Sequence, residues 1–254
     1  MAKYDERLTL VQHLSELRSR ILRAAIAIAA GMILAAVFND FVFDLLLRPL
    51  QQSRIPESAR RITTFSPTEP ILISLKVWVY VGLIVAAPVV LYQFWAFVGP
   101  AFAPTQRRHM LPIVSVCTFL FFFGVTFGYV VVLPTGLRFL YSVNHTYFQA
   151  QNRAADYFSF TAWFLVAFGA VFEMPVVIVL LVLLEVIDSR FLRRNRRYAI
   201  VVLAVLAMMA TPGGDPFSML AMFTPLLVLY ELSIVAARLI ERRRPTAAAA
   251  ADQT

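Results

Sequence analysis

Long apolar runs, separated by short polar stretches that carry most of the arginines, set the rhythm of this chain. Runs long enough to cross ~30 Å of hydrocarbon at 1.5 Å per residue occupy residues 21–43, 71–94, 111–133 and 158–184. Each predicts a membrane-spanning helix. A further apolar stretch starts at Tyr198 and is cut by Thr211-Pro212-Gly213-Gly214-Asp215-Pro216, residue types that stop one helix and begin a turn. Two more helices are therefore predicted, giving six. The first of this pair, over 198–210, rises only ~20 Å and calls for a thinned bilayer or tilted neighbours. A hairpin that re-enters from one side is the alternative for the pair. Ahead of the first span, Leu10, Leu14, Leu17 and Ile21 recur at i, i+4, i+7 and i+11. That is one apolar stripe of an amphipathic helix, expected to lie along the membrane surface with Thr9 and Gln12 as its capping box.

The pattern divides the chain into an N-terminal amphipathic segment (1–20), a transmembrane domain (21–238) and a tail (239–254) whose alanine run predicts disorder. The polar stretch before the first span is long for a secretory leader, so an uncleaved first span is expected. Sixteen lysines and arginines fall in the N-terminal segment, the second and fourth inter-span loops and the tail, against six in the segments of the other side. Basic short loops stay in the cytoplasm, so both termini are expected there, in a multi-pass cytoplasmic (inner) membrane protein. Composition agrees: 60% hydrophobic residues, 15% charged residues and a mean hydropathy of +0.73 exceed what a soluble domain can bury. Lipid is thus the main solvent, and the formal charge of +8 reads as an orientation signal instead of a nucleic-acid footprint. Cys117, the single cysteine, lies inside an apolar run and can build neither a disulfide framework nor a thiolate metal site.

Three acids draw attention. Glu16 projects away from the Leu10–Ile21 stripe, faces the cytoplasm and stands four residues before Arg20, which by spacing alone reads as an ordinary surface ion pair. Glu173, in FGAVFEMP, sits about fifteen residues or ~22 Å into the fourth span, where an ionisable group is costly and marks either function or a hydrogen-bonded carboxyl within the bundle. Pro175 frees a backbone carbonyl nearby and predicts a kink. Lys76 lies at a different depth, so it is expected to snorkel and not to pair with Glu173. Asp215 follows the Gly-Gly turn and is placed to cap the last helix. No HExxH, GxSxG, phosphate-binding glycine loop or histidine cluster appears, and neither catalysis nor a cofactor is supported. A proton-coupled small-solute transporter using Glu173 is the rival reading, weakened by the absence of an internal repeat.

HLSELRSR (13–20), SPTEP (66–70), QFWAFVGPAF (93–102), FGAVFEMP (168–175) and TPGGDPFS (211–218) together resemble the TatC family, in order and spacing. TatC is the receptor subunit of the twin-arginine translocase. The resemblance implies a glove-like bundle of six transmembrane helices, short in the fifth and sixth. It also implies recognition of twin-arginine signal peptides of folded precursors, with Glu16 pairing a signal arginine and Arg18 and Phe97 on the same surface. Partners implied are single-span subunits of the TatA and TatB type, placed near Met208, Thr211 and Asp215, in an oligomer driven by the proton gradient. Glu173 matches the family's intramembrane acid. One departure stands out: Gln106 precedes Arg107 and Arg108 where the family carries an acid, and no carboxylate lies between Trp95 and Met110 to replace it. Weaker, less salt-sensitive recognition of one signal arginine is the expected consequence.

Overall fold

The structure is a computed structural model of the 254-residue chain and describes residues 10–52, 60–98, 110–142, 152–184, 186–210 and 216–243. Thr9, Gln106, Thr211, Asp215 and the tail from residue 244 lie outside the described residues. The elements run α1 (Leu10–Val37), α2 (Asn39–Gln52), β1 (Ile62–Thr63), α3 (Glu69–Val98) and α4 (Met110–Phe127). A π-helical turn (Gly128–Val132) then leads into α5 (Leu133–Ser142), β2 (Asn152–Arg153), α6 (Ala154–Val171) and α7 (Met174–Leu183). Last come α8 (Ser189–Arg194), α9 (Arg196–Ala210) and α10 (Pro216–Arg243). Among the described residues, five stretches are long and apolar enough to cross a membrane: His13–Val37, Glu69–Val98, Leu111–Tyr141, Ala154–Leu183 and Met219–Glu241. The chain is an all-α membrane protein. The fifteen residues of α9 rise only ~22 Å, so the predicted short helix is present as such.

Three boundaries differ from the sequence expectation. The Leu10–Ile21 stripe does not form a separate helix lying flat, because α1 continues without a break from Leu10 to Val37. The first span ends earlier than residue 43: Asn39 and Asp40 interrupt the apolar run, and Asn39 turns its side-chain oxygen to the Trp78 indole N–H at 3.1 Å. From there α2 is amphipathic and buries Val42, Leu46, Pro49 and Leu50. The last helix is not short. It runs 28 residues and carries Pro225 inside it. Its final turns are anchored: Ser189 donates its backbone N–H to Glu241 at 2.7 Å, and the Tyr230 hydroxyl donates to the Leu192 carbonyl at 2.8 Å.

Close helix packing comes from small residues against large ones, since lipid supplies no hydrophobic drive between spans. Gly31 of α1 meets Gly82 of α3 so tightly that a β-carbon on Gly31 would stand 2.5 Å from the Gly82 carbonyl oxygen. At the centre, Phe164, Phe168 and Phe172 climb one side of α6 and its C-terminal cap, and Gly124 and Gly128 leave room for the last two. Phe121 enters the space over Gly169 in return. Between them these rings fix how α4 and α6 cross.

At the end where α3 and α6 begin, β1 and β2 form a two-residue parallel pair, Ile62 opposite Asn152 and Thr63 opposite Arg153. Glu69 at the start of α3 is buried there, accepting from the Phe65 N–H at 2.8 Å and from Arg153 Nε at 2.8 Å. Arg153 also lies over the Phe65 ring, and its guanidinium pKa is held above the usual value by the Glu69 carboxylate. This clamp explains the SPTEP motif: Ser66 and Thr68 shape the turn whose next residue, Glu69, receives the arginine.

Candidate recognition face

The other end of the bundle gathers the starts of α1 and α9 with the finishes of α3, α7 and α10, and with them the arginines 18, 20, 190, 193, 194, 196 and 197. Here α1 and α3 run antiparallel, with a register set by three contacts. His13 stacks on Phe97 with ring centroids 4.6 Å apart, Gly31 meets Gly82, and Asn39 meets Trp78. Glu16 and Phe97 are therefore brought to one face by the α1–α3 seam, and both are half-buried. Arg18 is on the exposed side of the same turn of α1.

Glu16 is not an open carboxylate. Arg20 Nε donates to its Oε1 at 2.9 Å, a second guanidinium nitrogen contacts the same oxygen, and Oε2 takes neither bond. The pair is less exposed than a typical surface pair, with side-chain exposures of 26% for Glu16 and 19% for Arg20. Arg20 thus seats a guanidinium on the carboxylate to which the family resemblance assigns a ligand's arginine. One turn before Phe97 lies Gln93, a residue that the sequence offered only as the first letter of a motif. It is buried, and its side-chain oxygen has no hydrogen-bond partner.

Glu173 occupies the break between α6 and α7. With Pro175 early in α7, the backbone closes through Glu173 N–H to the Ala170 carbonyl and Val176 N–H to the Glu173 carbonyl, so the predicted kink is a full interruption. The carboxyl meets the Cys117 thiol, which in turn meets the Trp95 indole, and one carboxyl oxygen is buried without a partner. Trp95 is near the finish of α3, whereas Lys76 is near its start, roughly 28 Å away by helix rise. Glu173 and Lys76 do not pair, as their depths implied. Lys76 is exposed on α3. Met208 is half-exposed on α9 beside the more exposed Met209. Among the described residues no group of three or more metal-ligating side chains is found.

The fold and this face define a polytopic membrane protein that offers a charged, aromatic-backed surface at its arginine-rich end. Residues 12–225 match the model of the family "Sec-independent protein translocase protein (TatC)". The TatC protein of Aquifex aeolicus is 38% identical over 237 residues, covering 92% of this chain and 97% of its own length. That of Carboxydothermus hydrogenoformans is 36% identical over 93% of this chain and 96% of its own. The Escherichia coli K12 protein is 34% identical over 90% and 88%. A crystal structure of the twin-arginine translocase receptor TatC in the detergent DDM superposes with a TM-score of 0.79 at 36% identity, covering 89% of this chain and 99% of that one. The chain belongs to the TatC family and is a membrane component of a Sec-independent protein translocase.

Proposed function

We propose that this chain is the signal-peptide receptor of its translocase. It lies in the cytoplasmic membrane with both termini inside and binds the twin-arginine motif of folded precursors at the α1–α3 face. The observation that carries this reading is the Glu16 carboxylate beside the His13–Phe97 stack, at the arginine-rich end, with a guanidinium already bonded to it. Planar guanidinium groups favour carboxylates through charge-assisted bonds, and the aromatic pair offers an apolar wall for the residues that follow a signal's arginines. Arg18 borders the same face, and Gln106 is assigned to recognition by its match to the family motif alone. Orientation follows from the charge asymmetry, since arginine-rich short loops stay in the cytoplasm.

Six helices enclose no lumen wide enough for a folded domain, so single-span partners of the TatA and TatB type are needed to complete a pathway. The short α9 with its exposed Met208, and the adjoining Thr211 and Asp215, are where we place them. The test is binding of the detergent-purified protein to a twin-arginine peptide and to its twin-lysine version. Arginine-selective binding that Glu16→Ala removes is expected. Equal binding of both peptides, or binding indifferent to Glu16→Ala, contradicts the proposal.

A further inference from the structure

The seam that holds Glu16 also holds an acceptor with nothing to accept. On α3, Gln93 lies eleven residues after Gly82 and four before Phe97. Eleven residues are three helical turns and four are one, so all three side-chain positions share a face of α3. That face is turned to α1, because Gly82 abuts Gly31 and Met32 while Phe97 stacks on His13. Following the antiparallel register from the His13–Phe97 level toward the Gly31–Gly82 level brings Gln93 beside the turn of α1 that carries Glu16 and Arg20. Gln93 is 9% exposed and its Oε1 is buried without a hydrogen-bond partner. A buried amide oxygen with no protein partner is unfavourable, and such groups in a helix seam call for an explanation.

On the turn of α1 that this register brings level with Gln93, Arg20 gives two guanidinium nitrogens to one oxygen of Glu16. A ligand arginine that seeks both oxygens of Glu16 meets a carboxylate whose Oε1 is already held by the protein's own arginine. Displacing Arg20 without a new partner would leave a half-buried guanidinium short of acceptors, which opposes binding.

We propose that Arg20 is an internal stand-in for the ligand's guanidinium, and that Gln93 Oε1 receives Arg20 when a peptide arginine takes Glu16. This rests on the reading of Glu16 as the ligand's carboxylate. The exchange conserves charge-assisted bonding: one guanidinium–carboxylate pair exists before binding and one after, and the amide oxygen changes from unpaired to paired. It also gives selectivity. A ligand must outcompete a planar, forked donor, which a lysine ammonium does poorly, so the stand-in filters against lysine by more than Glu16 alone can.

A double-mutant cycle on the full-length protein in detergent tests this, with twin-arginine and twin-lysine peptides as probes and thermal melting to verify folding. Arg20→Met removes the stand-in while keeping its aliphatic stem. It is expected to tighten twin-arginine binding by roughly two- to five-fold, the range an ion pair of this exposure supplies, and to tighten twin-lysine binding more. Gln93→Leu is expected to weaken twin-arginine binding a few-fold with Arg20 present and to have no effect in the Arg20→Met background. That conditional effect separates a receiver from a residue that merely shapes the seam. Arg20→Gln serves if Arg20→Met does not fold. Weaker binding on removing Arg20, or a Gln93→Leu effect that persists without Arg20, overturns the exchange. If Glu16→Ala leaves binding of the wild-type chain intact, the receptor reading has failed instead, and the two failures are told apart by that control.

Discussion

The Gly31–Gly82 contact invites the sharpest structural perturbation, because α1 is held to the bundle almost entirely along its seam with α3. Only 11% of its spanning window is buried within the protein. A β-carbon at position 82 would stand 2.6 Å from the Met32 nitrogen and 3.0 Å from its Cα, and one at position 31 would stand 2.5 Å from the Gly82 carbonyl oxygen. Ordinary contact needs ~3.5 Å or more, and the obstructing atoms are mostly backbone, so no rotamer change relieves the clash. The helices must separate by about 1 Å. Overpacking of this kind costs ~1–3 kcal/mol, while alanine in place of a mid-helix glycine returns up to ~1 kcal/mol of propensity. The net expectation for Gly31→Ala or Gly82→Ala is a loss of about 1–2 kcal/mol, or roughly 2–8 °C in the melting temperature in detergent. The double variant should lose less than the sum, since the first substitution opens the gap that the second needs. Because the same seam sets the His13–Phe97 stack, twin-arginine peptide binding should fall alongside. A rise in melting temperature at either position, the signature of propensity without a clash, would refute the reasoning.

Other consequences can be measured independently. Arg153→Met leaves the Glu69 carboxylate with backbone donors alone and should lower the melting temperature; Glu69→Gln should lower it as well, because an amide offers one acceptor oxygen to the two donors and turns an N–H toward the other. Glu173→Met removes a carboxyl oxygen that is buried without a partner and should leave the melting temperature unchanged or raise it by the equivalent of ~1 kcal/mol. A marked drop would mean that the Cys117–Glu173 contact is structural. Restoring a second acid with Gln106→Glu should tighten peptide binding at low salt and lose the gain at high salt; an affinity that does not move with the substitution counts against a role for position 106.

Legibility of the sequence tracked the physics each signal carries. Apolar length alone located the middle spans, and the Pro175 step foretold the interruption beside Glu173, because both are local properties of the chain. What hydropathy could not show was where a helix would begin or turn. The break at residues 38–39 is marked only by Asn39 and Asp40 within an otherwise apolar stretch, and α10 is anchored through Ser189 and Leu192, which lie far from it in sequence. The same holds for the site. Glu16, Arg18 and Phe97 came from motif likeness, and the Glu16–Arg20 spacing was visible as an i, i+4 pair. The half-burial of that pair and the unpaired Gln93 arise from the packing of α1 on α3 and have no signature in either segment alone. Glu69 and Arg153 stood in plain view as an acid within SPTEP and a lone loop arginine, but pairing them requires the β1–β2 contact between segments that lie far apart in the chain.

Site-specific crosslinking in sealed inside-out membrane vesicles shows whether the arginine-rich end of the α1–α3 seam receives the signal peptide. A photoreactive group placed beside the arginine pair of a signal peptide is added from the cytoplasmic side. Adducts are expected on the turns carrying His13 to Arg20 and Gln93 to Val98, and none when the pair is lysine. Adducts on the opposite end, at Phe65 or Arg153, or adducts that ignore the arginine-to-lysine change, would contradict that role for the seam.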